Sequence, residues 1–462
     1  MMQRKWRVTA VVSAGVFMAS LDLFIVNIAF PAIGWHFHGA SLQSLSWILS
    51  AYAIVFAALL VPAGRWADSL GRKRAFLLGL GLFVAASAGC AAAPSVGVLT
   101  AARVAQAAGG ALMLPSSLGL MLPEFEAHER HIAIGLWAAT GGIAAAAGPP
   151  LGGLLVQADW RWVFLVNVPV GLIGLIVGAR TLRERREYGA GRPDVLGALA
   201  LIVAIGALTL AIVKGQEWGW SSPATLALLA LTAGLLPAIW WRSGRHPTPI
   251  VEPSMLRVRS FGLAVGASML FFLGFGAMLL TGVLFLTGVW HEPVLDAGLM
   301  LFPGPAMASA FSIPSARIGA RVGYRLPGVI GALLFAAGSL WYITQTGERP
   351  AYFSEYLPGL LISGAGVGLV IPTLTAAGTS SLAPARFATG AAVLTMGRQI
   401  GAALGVAVLV AVLGRAAVSA SDFHDAWLIT VSAALATGAT LAALGPPLRE
   451  RIARAPVAEV AL

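Results

Sequence analysis

The sequence has few charged residues and no polar stretch long enough to form a soluble domain. Charged side chains make up 11% of its 462 residues and apolar ones 58%, whereas an ordinary globular domain carries about 25% charged residues. A soluble protein of this size cannot hide so much apolar surface, and apolar runs recur from Val8 to Leu444. The composition therefore predicts an all-α integral membrane protein embedded in a lipid bilayer.

The sequence also lacks the residues that several kinds of chemistry require. The single cysteine, Cys90, lies inside an apolar run, so the chain has no intramolecular disulfide and no cysteine-based metal site. His36 and His38 stand close together, but two histidines without further ligands favour solvation over metal binding. The sequence lacks the GxxxxGK[ST] pattern of ATP-binding loops. We therefore expect no cofactor and no metal, and an ion gradient as the energy source.

Fourteen apolar runs are long enough to cross a bilayer, which requires about 20 residues. They are expected at residues 8–33, 43–63, 75–93, 96–122, 132–157, 161–181, 195–213, 223–241, 261–288, 296–316, 326–345, 356–380, 388–415 and 425–445. Their grouping predicts an N-terminal bundle of six spans over 1–182 and a two-span linker over 183–255. A C-terminal bundle of six spans is expected over 256–448, followed by a tail over 449–462.

The distribution of basic residues explains the net charge of +11 without a nucleic-acid partner. Most of the 30 Lys and Arg residues fall at the start of the chain and in alternate loops, such as 64–74 and 180–192. The positive-inside rule then places both termini in the cytoplasm. The expected location is the cytoplasmic membrane of a bacterium, because abundant Ala, Gly and Arg indicate a GC-rich genome.

Two ionisable residues lie deep in spans, where charge is costly unless it is paired. Asp22 stands in LDLFIVNIAFP of span 1, and Arg103 in RVAQAAGGALMLP of span 4. Their depths below the same surface, ~16 and ~10 Å at ~1.5 Å per residue, allow the arginine to reach the carboxylate. Gln106 shares the helix face of Arg103. The alternatives are a structural hydrogen bond for Asp22 and an Arg103 that extends to the headgroups.

Two further motifs combine residue types that simple packing does not require. Span 5 contains GGIAAAAGPPLGG, in which glycines permit close helix contacts and prolines bend the helix. Its distinctive residues are Gly148, Pro149, Pro150, Gly152 and Gly153. The loop expected between spans 2 and 3 reads GRWADSLGRKR, with Gly64, Asp68, Gly71, Arg72 and Arg74. A weaker copy, ARIGARVGYR at Ala316–Arg325, indicates a duplicated six-helix unit.

These motifs together resemble those of the fourteen-helix branch of drug:proton antiporters in the major facilitator superfamily. The match is strongest over spans 1–6 and continues in GRQIGAALGVAV of span 13. The resemblance implies two six-helix bundles with two inserted helices, proton coupling through Asp22 and Arg103, a bending element in span 5 and a gate at Gly64–Arg74. It also implies that Asp68 contacts the start of a helix in the other half, near Thr389.

The substrate is less constrained, because no deep acid is found in spans 7–14, which argues against a dicationic substrate. Met-rich surfaces suit promiscuous binding, although plain helix packing is the more frequent reason for each of these apolar residues. The expected cavity residues are Met18, Gln106, Met113, Phe275, Met278, Arg398 and Gln399, with Phe271, Phe272 and Met396 as further lining. Arg398 and Gln399 lie near the middle of span 13, where they are expected to bind an anionic or polar part of the substrate. The alternative is that Arg398 serves as a structural counter-charge.

The expected function is export of amphipathic drug-like molecules in exchange for protons, by a monomer without enzymatic activity. One alternative is export of a narrower substrate, such as an antibiotic, a lipid-like acid or another metabolite. Another alternative is a membrane sensor or scaffold that transports nothing.

Overall fold

The structure is a computed structural model, and it describes residues 4–186, 191–380, 382–383, 386–414 and 419–444. Within these ranges, fourteen helices are long and apolar enough to span a membrane. They are α1 Arg4–His36, α2 Leu42–Leu70, α3 Arg72–Ala91, α4 Val96–Met121, α5 Arg130–Ala158, α6 Trp162–Thr181, α7 Val195–Trp218, α8 Pro223–Ser243, α9 Arg259–Gly288, α10 Val294–Val322, α11 Arg325–Gln345, α12 Tyr352–Thr379, α13 Phe387–Leu413 and α14 Asp422–Ala442. Each corresponds to one predicted span, so the predicted helix count is confirmed.

The helices form two groups of six with a hairpin between them. Helix α4 packs on α2 and α3, and α1 packs on α5. In the second group, α9 packs on α13 and α14, α11 packs on α12 and α14, and α10 packs on α12. Helices α7 and α8 pair, and α7 also packs against α2 and α13. The halves meet mainly along α2 with α13 and α5 with α10. This confirms the predicted six, two and six arrangement; the domain boundaries remain predictions, and the tail 449–462 lies outside the described residues.

Helix α2 continues well beyond its apolar segment, so the expected loop at 64–74 is wrong. The helix runs through Gly64 and Asp68 to Leu70, and α3 begins at Arg72. Only Gly71 lies between the two helices, with φ +107°. Hydropathy reports where the chain leaves the lipid, whereas a helix in water or headgroups ends only where its backbone turns. The motif therefore forms two helix ends around one glycine.

The weak internal repeat has the same backbone in both halves. Gly323, between α10 and α11, has φ +88°, and its N–H donates to the Gly319 carbonyl at 3.0 Å. The Gly71 N–H donates in the same way to the Ala67 carbonyl at 3.0 Å. Positive φ favours glycine because it has no Cβ. The two positions aligned by the repeat thus end equivalent helices, which supports duplication of a six-helix unit.

The two ends of the bundle are distinguished here by their charge. The basic end is where α1 begins at Arg4, and the opposite end is where α1 finishes at His36. The charge distribution predicts that the basic end faces the cytoplasm. Helix α7 starts at the basic end and finishes at the opposite end, close to Glu217.

Cysteine labelling from outside the cell tests which end of the bundle faces the cytoplasm. In a Cys90→Ala background, Glu217→Cys should react in intact cells with a membrane-impermeant maleimide, because it lies at the opposite end. Arg186→Cys, at the exposed basic end, should react only after the cells are permeabilised. The two labelling patterns would be exchanged if the chain crossed the membrane in the other direction.

Candidate functional site

A buried ion pair joins α1 to α4. Asp22 is 0% and Arg103 1% exposed, and an Arg103 Nη1 hydrogen donates to Asp22 Oδ2. The two residues lie 81 positions apart in sequence, so only the packing of α1 on α4 brings them together. Removing one partner would leave an uncompensated charge in a medium that solvates it poorly.

Gln106 and Asn167 extend the ion-pair network to α3 and α6. Its Nε2 donates to Asp22 Oδ1 at 2.9 Å and to Ser87 Oγ of α3 at 2.9 Å, while its Oε1 accepts from Arg103 at 2.6 Å. Asn167 of α6 approaches the same Asp22 oxygen at 3.4 Å through Nδ2. Gln106 therefore belongs to the polar network of the N-terminal half, rather than to an exposed lining.

Arg103 is held on its other side by α2. Its Nε donates to the Ile48 carbonyl at 3.1 Å, and its guanidinium lies 4.1 Å from the centre of the Tyr52 ring. The alternative in which Arg103 extends to the headgroups is therefore wrong. Its charge is balanced within the bundle by a carboxylate, two oxygen acceptors and an aromatic face.

Two atoms beside the network have unused hydrogen-bonding capacity. Tyr52 Oη and Asn167 Oδ1 are buried and have no hydrogen-bond partner. Sequence reasoning missed Tyr52, Ser87 and Asn167, because a single polar side chain in an apolar helix is common. The clearest signal was Asn167, which interrupts the apolar segment that follows the glycine and proline motif.

The glycine and proline motif of α5 lies where two helices approach closely. A Cβ atom on Gly148 would lie 2.4 Å from Phe24 Cβ, and one on Gly152 would lie 3.2 Å from Ile25 Cα, both on α1. A Cβ on Gly153 would lie 2.7 Å from Leu295 Cα of α10. The motif thus brings α5 into backbone contact with its own half and with the other half.

The contact between the halves is equally tight from the side of α10. A Cβ atom on Gly298 would lie 2.4 Å from the Pro149 carbonyl oxygen. Helix α5 stays helical through Pro149 and Pro150. Because α5 finishes and α10 begins at the opposite end, this contact closes the two halves together there.

The predicted gate residues at the basic end connect several helices. Asp68 pairs with Arg72 at 2.8 Å, and a Cβ on Gly64 would contact Pro115 of α4 at 3.5 Å. Arg72 lies across Gly119 of α4. The expected contact of Asp68 near Thr389 remains a prediction, while α2 and α13 do pack along each other.

Glu184, which sequence reasoning missed, organises the other side of this cluster. Its Oε1 accepts the Lys73 backbone N–H at 3.0 Å, and its Oε2 lies 3.7 Å from Arg74 Nε. A carboxylate suits the positive N-terminal end of α3. A Cβ on Gly71 would lie 2.3 Å from the Glu184 carboxylate, so glycine is needed there for space as well as for its positive φ.

Glu252, in the linker, contacts both the N-terminal and the C-terminal half at the basic end. It lies 3.8 Å from Arg65 of α2 and 3.9 Å from Arg386, the residue before α13. Glu252 itself belongs to the segment between α8 and α9. These exposed contacts are individually weak, but they span both halves and the linker.

The structure divides the expected cavity residues into two groups. Met18 and Met113 are at most 2% exposed and pack in the core of the N-terminal half, against Gly171 and Gly15. Further buried residues are Phe271, Met278, Met396 and Gln399. The partly exposed residues are Phe272, Phe275 and Arg398. These three are the better candidates for a lining.

Arg398 reaches two neighbouring helices. Its Nη2 donates to Thr375 Oγ1 of α12, and its guanidinium lies 5.4 Å from the centre of the Phe272 ring on α9. Its Nε is buried and has no hydrogen-bond partner. Phe275 packs against Phe272 with the ring centres 5.6 Å apart. A cation therefore lies beside one aromatic ring, which packs on a second, where α9, α12 and α13 converge.

The first histidine of the expected outer loop has ordinary partners. His36 lies 3.2 Å from Arg161 Nη2 and packs against the rings of Phe37 and Trp160. These contacts account for its position at the end of α1.

Comparison with known proteins gives consistent results. Residues 12–406 match the sequence model of the Major Facilitator Superfamily. Multidrug resistance protein Stp of Mycobacterium tuberculosis is 34% identical over 401 residues, which cover 86% of this chain and 74% of that protein. The methylenomycin A resistance protein of Streptomyces coelicolor is 35% identical, with coverage of 88% and 85%. The tetracenomycin C resistance and export protein of Streptomyces glaucescens is 34% identical, with coverage of 88% and 75%.

Solved structures show the same architecture. The crystal structure of peptide transporter POT in complex with sulfate superimposes with a TM-score of 0.69, at 16% sequence identity, over 98% of this chain and 95% of that one. At this identity the likeness concerns the fold alone. Both comparisons agree with the helix arrangement described above.

Proposed function

The chain belongs to the Major Facilitator Superfamily, and from this we propose that it is a proton-coupled exporter of amphipathic drug-like small molecules. It is a multi-pass protein of a bacterial cell membrane. The observation that carries the proposal is the buried network of Asp22, Arg103 and Gln106. Within the described residues of α1 to α6, Asp22 is the acid buried deepest in the membrane region.

Protonation of Asp22 would change the network in a defined way. The carboxylate accepts from Arg103, Gln106 and Asn167, whereas the neutral acid must donate its own O–H. The Asn167 Oδ1 atom has no partner and can accept that hydrogen once the amide turns. The proton therefore weakens the attraction of α1 for α4 and strengthens a link to α6, which gives two discrete arrangements of the bundle.

Alternating access follows if these arrangements bias the contact between the halves. The α5 contact with α10 closes the opposite end, and α1 packs directly on α5 through Gly148 and Gly152. A change at Asp22 on α1 thus has a short mechanical route to that contact. In export, the proton would bind Asp22 from the opposite end and leave at the basic end, while the substrate moves the other way.

The basic-end cluster is proposed as the second gate. Asp68, Arg72 and Glu184 join α2 to α3 and to the segment after α6, and Glu252 joins α2 to the start of α13. Opening the basic end requires Glu252 to separate from Arg65 or from Arg386, and the small energies of these partly exposed contacts make that feasible. Both halves lie on one chain, so we expect a monomer to suffice.

Substitution of Asp22 by Asn tests this proposal. In proteoliposomes with an imposed pH gradient, the variant should lose gradient-driven accumulation of a transported dye such as ethidium, because Asn cannot exchange a proton. Exchange of labelled for unlabelled dye at equal pH should persist. Asp159→Asn, at an acid that is 42% exposed at the opposite end, is the matched control. Full retention of coupled transport by Asp22→Asn would defeat the assignment.

A narrow exporter is the second candidate, and the names of two relatives favour it. The methylenomycin A and tetracenomycin C proteins are each named for one antibiotic, whereas Stp is named for multidrug resistance. Resistance profiling against unrelated toxic compounds separates the two. A broad exporter protects against several classes, a narrow one against a single class, and a non-transporting sensor or scaffold against none.

A further inference from the structure

Among the described residues, Arg103 and Arg398 both lie more than six residues from either end of their membrane helices, and their surroundings differ. Arg103 has a carboxylate, a carbonyl, an amide oxygen and an aromatic ring around it. Arg398 has one hydroxyl and one aromatic ring. Among the described residues Arg398 makes no ion pair, and its buried Nε makes no hydrogen bond. The positive charge of Arg398 is therefore not balanced within the part of the chain that the structure describes.

An unbalanced cation at this depth is expensive and calls for a counter-ion. Arg398 lies eleven positions after Phe387, the first residue of α13, which places it ~16 Å along the helix at ~1.5 Å per residue. Ionisable residues so far from the membrane surface face a cavity or a partner. Arg398 is only partly buried, so part of its side chain is accessible from outside the protein.

The groups around Arg398 define what that molecule would be. The planar guanidinium binds carboxylate, sulfonate or phenolate oxygens through paired N–H donors. The Phe272 ring lies beside the guanidinium, and Phe275 packs against Phe272. An aromatic ring carrying an acidic group fits both features at once.

We propose that Arg398 binds the anionic group of aromatic acids, with Phe272 and Phe275 packing against their rings, and that these anions are a substrate class of the exporter. This inference rests on the proposed export function. It assigns the two halves different tasks, with the proton bound at Asp22 and the anion bound at Arg398. It also replaces the alternative in which Arg398 is a structural counter-charge, since no described carboxylate faces it.

The charge balance of such a cycle has a measurable consequence. Moving an anion out while a proton moves in transfers positive charge inward in both steps. A membrane potential that is negative inside then assists both movements. For a neutral substrate only the proton step responds. Export of an aromatic anion should therefore depend more strongly on the potential than export of its neutral analogue.

The test uses a matched pair of probes, naphthalene-2-sulfonate and the neutral naphthalene-2-sulfonamide. Binding of each to the detergent-solubilised full chain is measured by calorimetry for the parent, Arg398→Gln and Arg398→Lys. We expect the sulfonate to bind the Gln variant about 10- to 150-fold more weakly, the loss typical of a charged hydrogen bond. The Lys variant should restore part of that loss, and the sulfonamide should bind all three proteins alike.

Binding and transport then answer separate questions. Failure of the parent to bind the sulfonate, equal binding by Arg398→Gln, or equal loss of both probes would overturn the anion site. Transport is measured in proteoliposomes with a pH gradient, with and without a potassium diffusion potential. If the pH gradient drives no transport of any probe by the parent protein, the export function is contradicted. The binding measurements would still decide whether Arg398 forms an anion site.

Discussion

Arg103→Gln should abolish coupled transport and lower the stability of the protein by about 3–5 kcal/mol, because it leaves the Asp22 carboxylate buried without its cation. Both side chains are essentially inaccessible to solvent, so water cannot replace the lost partner. Thermal unfolding in detergent, followed by tryptophan fluorescence, measures the loss. A shortened guanidinium-free side chain also leaves the Ile48 carbonyl without the donor that it has at 3.1 Å.

The double variant distinguishes charge from packing. Asp22→Asn combined with Arg103→Gln removes both charges, so most of the lost stability should return. Gradient-driven transport should not return, because no group remains to carry the proton. Arg161→Gln is the control: this arginine is 33% exposed and lies 3.4 Å from Asp159, and its removal should cost less than about 1 kcal/mol. Equal destabilisation by Arg103→Gln with and without Asp22→Asn would contradict a buried ion pair.

Gly298→Val should prevent closure of the opposite end and so stop transport without unfolding the chain. A Cβ on Gly298 would lie 2.4 Å from the Pro149 carbonyl oxygen, and a backbone atom cannot rotate away as a side chain does. Overpacking of this kind costs about 1–3 kcal/mol. Because the clash exists only in the closed arrangement, this cost shifts the equilibrium between closed and open arrangements about 5- to 150-fold toward an open opposite end.

Accessibility reports this shift directly. A cysteine at Ile28, which is buried against Val283 and Val294, should react faster with an impermeant reagent when Gly298→Val is present, in a Cys90→Ala background. Gly266→Val on α9 is the matched control, because a Cβ there meets nothing within 4 Å. Unchanged reactivity at Ile28 together with normal transport by Gly298→Val would show that the α5 contact with α10 is not a gate.

The sequence was sufficient to predict the number of spans and the Asp22 and Arg103 partnership. Apolar length is set by bilayer thickness, and a charge in an apolar run is rare enough to draw attention. It was insufficient for helix ends, since α2 runs to Leu70 through residues that hydropathy assigns to a loop. A helix can leave the lipid without ending, and only the backbone turn at Gly71 stops it.

The sequence was also insufficient to predict which neighbours each side chain contacts. Met18 and Met113 suit a flexible lining by composition, yet both pack in the N-terminal core. Periodicity places residues on a common face but does not say which neighbour that face meets. Glu184, Ser87 and Asn167 gained their partners only through packing between segments that are distant in sequence, which no local pattern records.

The central claim is that the Asp22 carboxyl carries the exchanged proton, and proton release tests it most directly. Purified protein in detergent, in weakly buffered solution with a pH indicator, receives a saturating amount of a substrate identified by the resistance profile. The parent should release protons on substrate addition, and Asp22→Asn should release none. Equal proton release by the parent and by Asp22→Asn would contradict the account.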